Sequence, residues 1–153
     1  MTLASNALSQ ELNTWLQENG YSRENLNQPG ENSDSALMKI TRDGNLAWIK
    51  ELLRAGVDVN LKNNDGNNAL WFACFGNFYE AIDLLIAANI DIDNQNGNGA
   101  TALMYAASSG KLEVLQQLLK YGANTELQNL DDFKAIDFSS TQAVWRVLKN
   151  AAQ

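Results

Sequence analysis

Shifted by 33 residues, this chain lands on itself without a gap, a tight constraint on what it can fold into. Ala36-Leu37 falls on Ala69-Leu70, then on Ala102-Leu103, then on Ala135-Ile136. Leu52-Leu53 falls on Leu85-Ile86 and Leu118-Leu119, and Gly56-Val57-Asp58 on Asn89-Ile90-Asp91 and Gly122-Ala123-Asn124. A fixed period of this size implies an array of small stacked units, none able to bury its own apolar face alone. Function then points to a surface built across repeats rather than to a reaction centre.

The units follow from the period. Residues 7–19 predict a helix, with Leu8, Leu12, Trp15 and Leu16 on one stripe and Asn19-Gly20 as its stop. A polar stretch from Ser22 to Ser33 holds the only proline, Pro29. Residues 1–27 therefore form an N-terminal helical cap, followed by repeats at 28–60, 61–93 and 94–126 and a truncated capping repeat at 127–150, within a single domain of 153 residues. Each repeat opens with a turn-rich stretch such as Asn63-Asn64-Asp65-Gly66 or Asn96-Gly97-Asn98-Gly99. Ser35, Asn68 and Thr101 then stand as N-caps of a first short helix. A second helix carries Ile49, Leu52 and Leu53, then Ile82, Leu85 and Ile86, then Leu115, Leu118 and Leu119 at i, i+3 and i+4.

Two positions per repeat call for a positive φ. After the first helix they are Gly44, Asn77 and Gly110; after the second, Gly56, Asn89 and Gly122. Where glycine is missing, asparagine replaces it, the residue that next best tolerates left-handed backbone.

This unit of loop, helix, tight turn, helix, glycine and hairpin loop resembles the ankyrin repeat, over roughly residues 26–150. The third repeat is nearest, with Gly99-Ala100-Thr101-Ala102-Leu103-Met104-Tyr105-Ala106-Ala107-Ser108-Ser109-Gly110 and Leu118-Leu119-Lys120-Tyr121-Gly122-Ala123-Asn124. Against the family's Thr-Pro-Leu-His signature stand Ser35-Ala36-Leu37-Met38, Asn68-Ala69-Leu70-Trp71, Thr101-Ala102-Leu103-Met104 and Lys134-Ala135-Ile136-Asp137. Proline is alanine every time, and the chain has no histidine. Packing by Met38, Trp71 and Met104 is expected to replace the family's histidine hydrogen bonds. Lys134 occupies a cap position in the shortened fourth repeat. The resemblance implies an all-α fold, an α-solenoid of stacked helix-turn-helix-loop repeats. It also implies binding of a partner protein through a concave surface of loop tips and first helices.

Carried over by alignment, the loop-tip positions are Glu31, Asn32 and Asp34; Lys62, Asn64, Asp65 and Asn67; Gln95, Asn98 and Ala100; Leu130, Asp131 and Phe133. The first-helix positions are Arg42 and Asp43, Phe75, and Ser108 and Ser109. The second repeat concentrates aromatics: Trp71, Phe72, Phe75, Phe78 and Tyr79. Periodic aromatics usually fill interiors, and core packing is the expectation for Trp71, Phe72 and Tyr79. Phe75 differs, because its equivalents Arg42 and Ser108 are polar; it is predicted to be exposed and is the leading contact candidate. Phe72 and its equivalent Tyr105 are candidate extensions of the same patch.

Charge and composition narrow the partner. The formal net charge is −7, and the 11 basic residues form no run, which argues against nucleic acid and anionic membranes. The acidity gives only weak support for a basic partner, since an acidic surface also serves solubility. No apolar stretch is long enough for a membrane span, and the first residues lack the pattern of a secretory signal. One cysteine, Cys74, suits a reducing compartment, and a cytoplasmic monomer is expected.

No residue set calls for a cofactor, a metal or catalysis. Asp91-Ile92-Asp93-Asn94-Gln95 opens like a calcium loop, but Asn96 stands at the position of the sharp glycine and Ala102 at that of the bidentate glutamate. Cys74 aligns with Thr41 and Ala107, small positions inside a helix, so it is expected to be a buried packing thiol. Without histidine, His-based triads are impossible. Asp131-Asp132 is predicted to lie in an exposed loop with nothing to perturb its acidity. The expected function is therefore non-catalytic protein binding, by an adaptor or by a dedicated inhibitor of one enzyme or toxin. A carboxylate-based enzyme is the outsider, and a purely self-associating role would show as concentration-dependent size.

Overall fold

The structure, a computed structural model, describes residues 8–152. Among these the protein is all-helical, with eight α-helices, two short 3₁₀ segments and no strand. The helices are α1 (Gln10–Glu18), α2 (Ala36–Arg42), α3 (Leu46–Arg54), α4 (Ala69–Phe75), α5 (Tyr79–Ala87), α6 (Ala102–Ser108), α7 (Leu112–Lys120) and α8 (Gln142–Ala151). The chain divides into two compact units, Met1–Ile90 and Asp91–Gln153.

In the first unit, α1 starts from Ser9, whose hydroxyl accepts the Leu12 N–H. Residue 7, the first of the helix expected from sequence, lies outside the described residues. Leu12 and Leu16 are fully buried. Helix α2 packs on α4, and α3 on α5. Each first helix begins at the cap its sequence calls for: Ser35 Oγ accepts from Met38 N–H, and Asn68 Oδ1 from Leu70 N–H. The second helices bury Ile49 and Leu52, then Ile82 and Leu85, while Leu53 and Ile86 are only half-buried. The apolar stripe is therefore two residues deep and one residue at its margin.

The second unit repeats this plan. Thr101 Oγ1 accepts from Met104 N–H at the start of α6, which packs on α7. Leu115 and Leu118 are buried and Leu119 half-buried, at the same three positions. In the last repeat the first helix shrinks to a 3₁₀ segment, Ala135–Phe138, held by the Lys134 N–H donating to the Asp137 carboxylate at 2.8 Å. The Lys134 ammonium pairs with Glu126 at 2.8 Å. Helix α8 closes the unit with Val144 and Leu148 buried.

One device stops all six helices of the three full repeats. At the end of α3 the N–H of Val57 reaches back to the carbonyl of Leu52 and that of Gly56 to Leu53. The same pair of bonds joins Ile90 to Leu85 and Asn89 to Ile86, and then Ala123 to Leu118 and Gly122 to Leu119. It recurs after the first helices at Gly44, Asn77 and Gly110. This is the Schellman geometry, and it requires one residue with positive φ. All six residues singled out by alignment have it, from 58° at Asn77 to 89° at Gly122. Glycine adopts this conformation without the Cβ penalty that asparagine carries. Asn77→Gly and Asn89→Gly should each stabilise the fold by a few tenths to ~1 kcal/mol, read as a rise in denaturant midpoint; a fall in both would contradict the register.

Tyr21 ties the cap to the first repeat. Its hydroxyl donates to the backbone carbonyl of Asp34 at 2.9 Å, and the residue is 6% exposed. Burial, reinforced by the charge of Asp34, pushes its phenol up to about 12 from the usual 10. The folded state thus favours the neutral phenol, so this contribution is intact below pH 10 and is lost as the pH climbs towards 12. Tyr21→Phe should cost roughly 1 kcal/mol at neutral pH and flatten the loss of stability above pH 10, measured by denaturant titration at both pH values.

Candidate partner-binding face

The loop tips are built from one turn used repeatedly. In the second repeat the Asn63 N–H donates to the Asn67 carbonyl, and the Gly66 N–H closes back onto the Asn63 carbonyl. The Asn63 side-chain oxygen accepts from the N–H groups of Asp65 and Asn67. Asn96 accepts from Asn98 and Ala100 in the same way, and Asn129 from Asp131 and Phe133. An asparagine does this because its amide oxygen mimics a backbone acceptor two residues on. Gly30 holds the matching position in the first tip, where its N–H donates to the Asp34 carbonyl. The left-handed residue of the turn is Ser33, Gly66, Gly99 or Asp132, again one period apart. Within the first unit, the Asn64 N–H donates to the Asn32 carbonyl at 2.9 Å and links two successive tips.

Behind these two tips, Asp34 is the organising group. It is 4% exposed, and its carboxylate accepts from the Asn63 amide at 2.9 Å and from the Arg42 guanidinium at 3.1 Å. Arg42 is thereby turned across the Phe72 ring, with its guanidinium carbon 4.4 Å from the ring centroid. A guanidinium over an aromatic face is attracted by the ring's electron density. The result is a cleft of about 410 Å³ whose walls include Asn32, Arg42, Asp65, Trp71, Phe72 and Phe75. Phe75 is 61% exposed, as its polar equivalents predict. The exposed charges Asp43 and Asp65 stand on the same helix end and loop tip.

Several expectations are corrected. Trp71 and Phe72 are half-buried and line the cleft rather than filling the interior, while Met38 and Met104 are buried as expected. Tyr79 is 44% exposed, because as the first residue of α5 it stands before the buried stripe begins at Ala81 and Ile82. Asp34 and Asn67, aligned as loop-tip positions, are buried, one as the anchor just described and the other as the residue that closes its turn. Sequence comparison gave Asp34 no organising role, and no period could have, since its equivalents are Asn67 and Ala100. Cys74 is fully buried inside α4.

The other candidates lie in the second unit. Asn98 is exposed on its tip, and Ser108 and Ser109 are exposed at the end of α6. Tyr105 is half-buried, with the Lys111 ammonium 6.0 Å from its ring centroid. Phe133 is 49% exposed and meets Phe138 edge-on at 5.9 Å. Among the described residues no group of three or more acidic or cysteine side chains could hold a metal, and no helix is long and apolar enough to cross a membrane.

A family model of ankyrin repeats in three copies matches residues 1–96, 37–129 and 80–147. The chain belongs to the ankyrin repeat family. It is 37% identical over 74 residues to the human Notch-regulated ankyrin repeat-containing protein, covering 48% of this chain and 65% of that protein. It is 36% identical over 58 residues to chicken osteoclast-stimulating factor 1, covering 38% of this chain and 29% of that protein. The chain thus spans just under two thirds of the first relative and under a third of the second. Ankyrin repeats are protein–protein interaction modules and a non-enzymatic scaffold.

In this ankyrin repeat chain the two ends of the Asp34 cluster should differ in cost. Asp34→Ala strands both the Asn63 amide and Arg42, and should lose about 1–3 kcal/mol in denaturant unfolding. Arg42→Ala, at a side chain 43% exposed, should lose under about 1 kcal/mol. Equal losses would show that Asp34 acts only through the ion pair.

Proposed function

We propose that the chain is a non-catalytic recognition module that binds a partner protein on the face of its first unit carrying Phe75, Phe72, Arg42 and Asp65. The exposure of Phe75 carries this reading. An aromatic ring 61% exposed beside a cleft leaves apolar area that a partner can remove from water. Aromatic residues and arginine dominate interface hot spots, and here an arginine paired with Asp34 already lies over an aromatic ring. That placement lowers the ordering cost of association.

The partner's matching patch is an apolar side chain flanked by basic groups. Arg42 is paired with Asp34, which leaves Asp65 as the exposed charge lining the cleft without an ion-pair partner there, in a chain of net charge −7. In the second unit, Asn98, Tyr105, Ser108, Ser109 and Phe133 hold corresponding repeat positions and are proposed as that unit's contacts. The module acts as a monomer in the cytoplasm, where its single thiol suits a reducing environment.

The test is an affinity capture from cell extract with wild type and Phe75→Ala in parallel, followed by titration of the captured protein. Loss of about 2 kcal/mol, roughly thirtyfold in affinity, is expected without a change in thermal midpoint. Binding unchanged within error would remove this face from the interface.

A further inference from the structure

Helices α1 and α3 frame a second pocket, which shares no residue with the Phe72–Phe75 cleft and does not depend on that reading. It has a volume of about 470 Å³ and is lined by Gln10, Glu11, Thr14, Trp15, Glu18 and Trp48. The helical period explains how they meet. Glu11, Trp15 and Glu18 fall at i, i+4 and i+7, one face of α1, beside the face that buries Leu12 and Leu16. Trp48 is supplied by α3. The Trp15 and Trp48 rings lie 6.0 Å apart and are tilted by 59°. Trp15 also stacks on Tyr21 at 5.8 Å, nearly parallel.

The chemistry of this pocket is one-sided. Indole faces carry negative electrostatic potential, two carboxylates stand at the rim, and no lysine or arginine lines it. A neutral apolar guest would cover the indoles but gain nothing from the carboxylates. A hydrated metal ion would gain nothing from the indoles. The guest that satisfies both is a cation sheathed in carbon, an alkylammonium group. The chain itself supplies an example at the other end of the aromatic row, where the Lys39 ammonium lies 5.8 Å from the Tyr21 ring centroid.

The source of the cation follows from the pocket's openness. Gln10, Glu11, Thr14 and Glu18 are all exposed, and the two tryptophans are half-buried. Sites for free small molecules bury most of the ligand, which this one does not. We propose that it receives the ammonium end of a lysine side chain, plain or N-methylated, presented by a partner polypeptide.

The experiment follows the four indole N–H signals by NMR during titration with short blocked peptides. One peptide carries lysine, one trimethyllysine and one norleucine; choline serves as the free cation. The cationic peptides should move the Trp15 and Trp48 signals, leave Trp71 and Trp145 in place, and bind about two- to fivefold more tightly than norleucine. Glu11→Gln with Glu18→Gln, two exposed positions whose change leaves the fold intact, should erase that preference. Norleucine binding equal to lysine, or a preference unchanged in the double variant, would overturn the proposal. Choline binding tenfold tighter than the lysine peptide would overturn the assignment to a polypeptide.

Discussion

Helices of seven and nine residues, such as α2 and α3, are too short to persist alone in water. Everything else in the chain answers that constraint. Each helix of the three full repeats is given a side-chain acceptor or a tight turn at its start and a left-handed residue at its end, and is laid against a neighbour of the same kind. Fixing the stop fixes the length, and fixing the length fixes which residues meet the next repeat. The six Schellman stops are therefore as important to the array as its leucines.

The binding face rests on the same logic at higher resolution. Loop tips hold their shape through backbone bonds, one asparagine oxygen and, in the second unit, the Gln95 amide, which donates to the Gly99 and Gln128 carbonyls. Asp34 is a carboxylate withdrawn from water that orients Arg42. Burying a charge is costly unless it is paired and hydrogen-bonded, and Asp34 meets both conditions. The pairing holds the Arg42 guanidinium over the Phe72 ring.

The stops, the N-caps and the exposure of Phe75 were legible in the sequence because each is decided within a few residues and repeated at a fixed interval. Asn89 announces its backbone by standing where Gly56 and Gly122 stand. The misread residues depend on information that the interval does not carry. Trp71 shares its position with buried Met38 and Met104, but its ring is larger, and it ends up at the cleft wall. Tyr79 shares its position with half-buried Leu46 and Leu112, and it stands largely exposed. Asp34 has only Asn67 and Ala100 as counterparts, neither of them charged. One wall of the pocket between α1 and α3 lies outside the alignment, since α1 precedes the first repeat, and Trp48 on the other wall stands where later repeats have Ala81 and Val114.

Cys74 gives the face one further property. Its sulfur is sealed inside the same seven-residue helix that displays Phe72 and Phe75. A reagent in solution reaches that thiol only when α4 lifts from its neighbours. The chain therefore carries a clock for the opening of its own binding helix, and anything that clamps Phe75 from outside slows that clock.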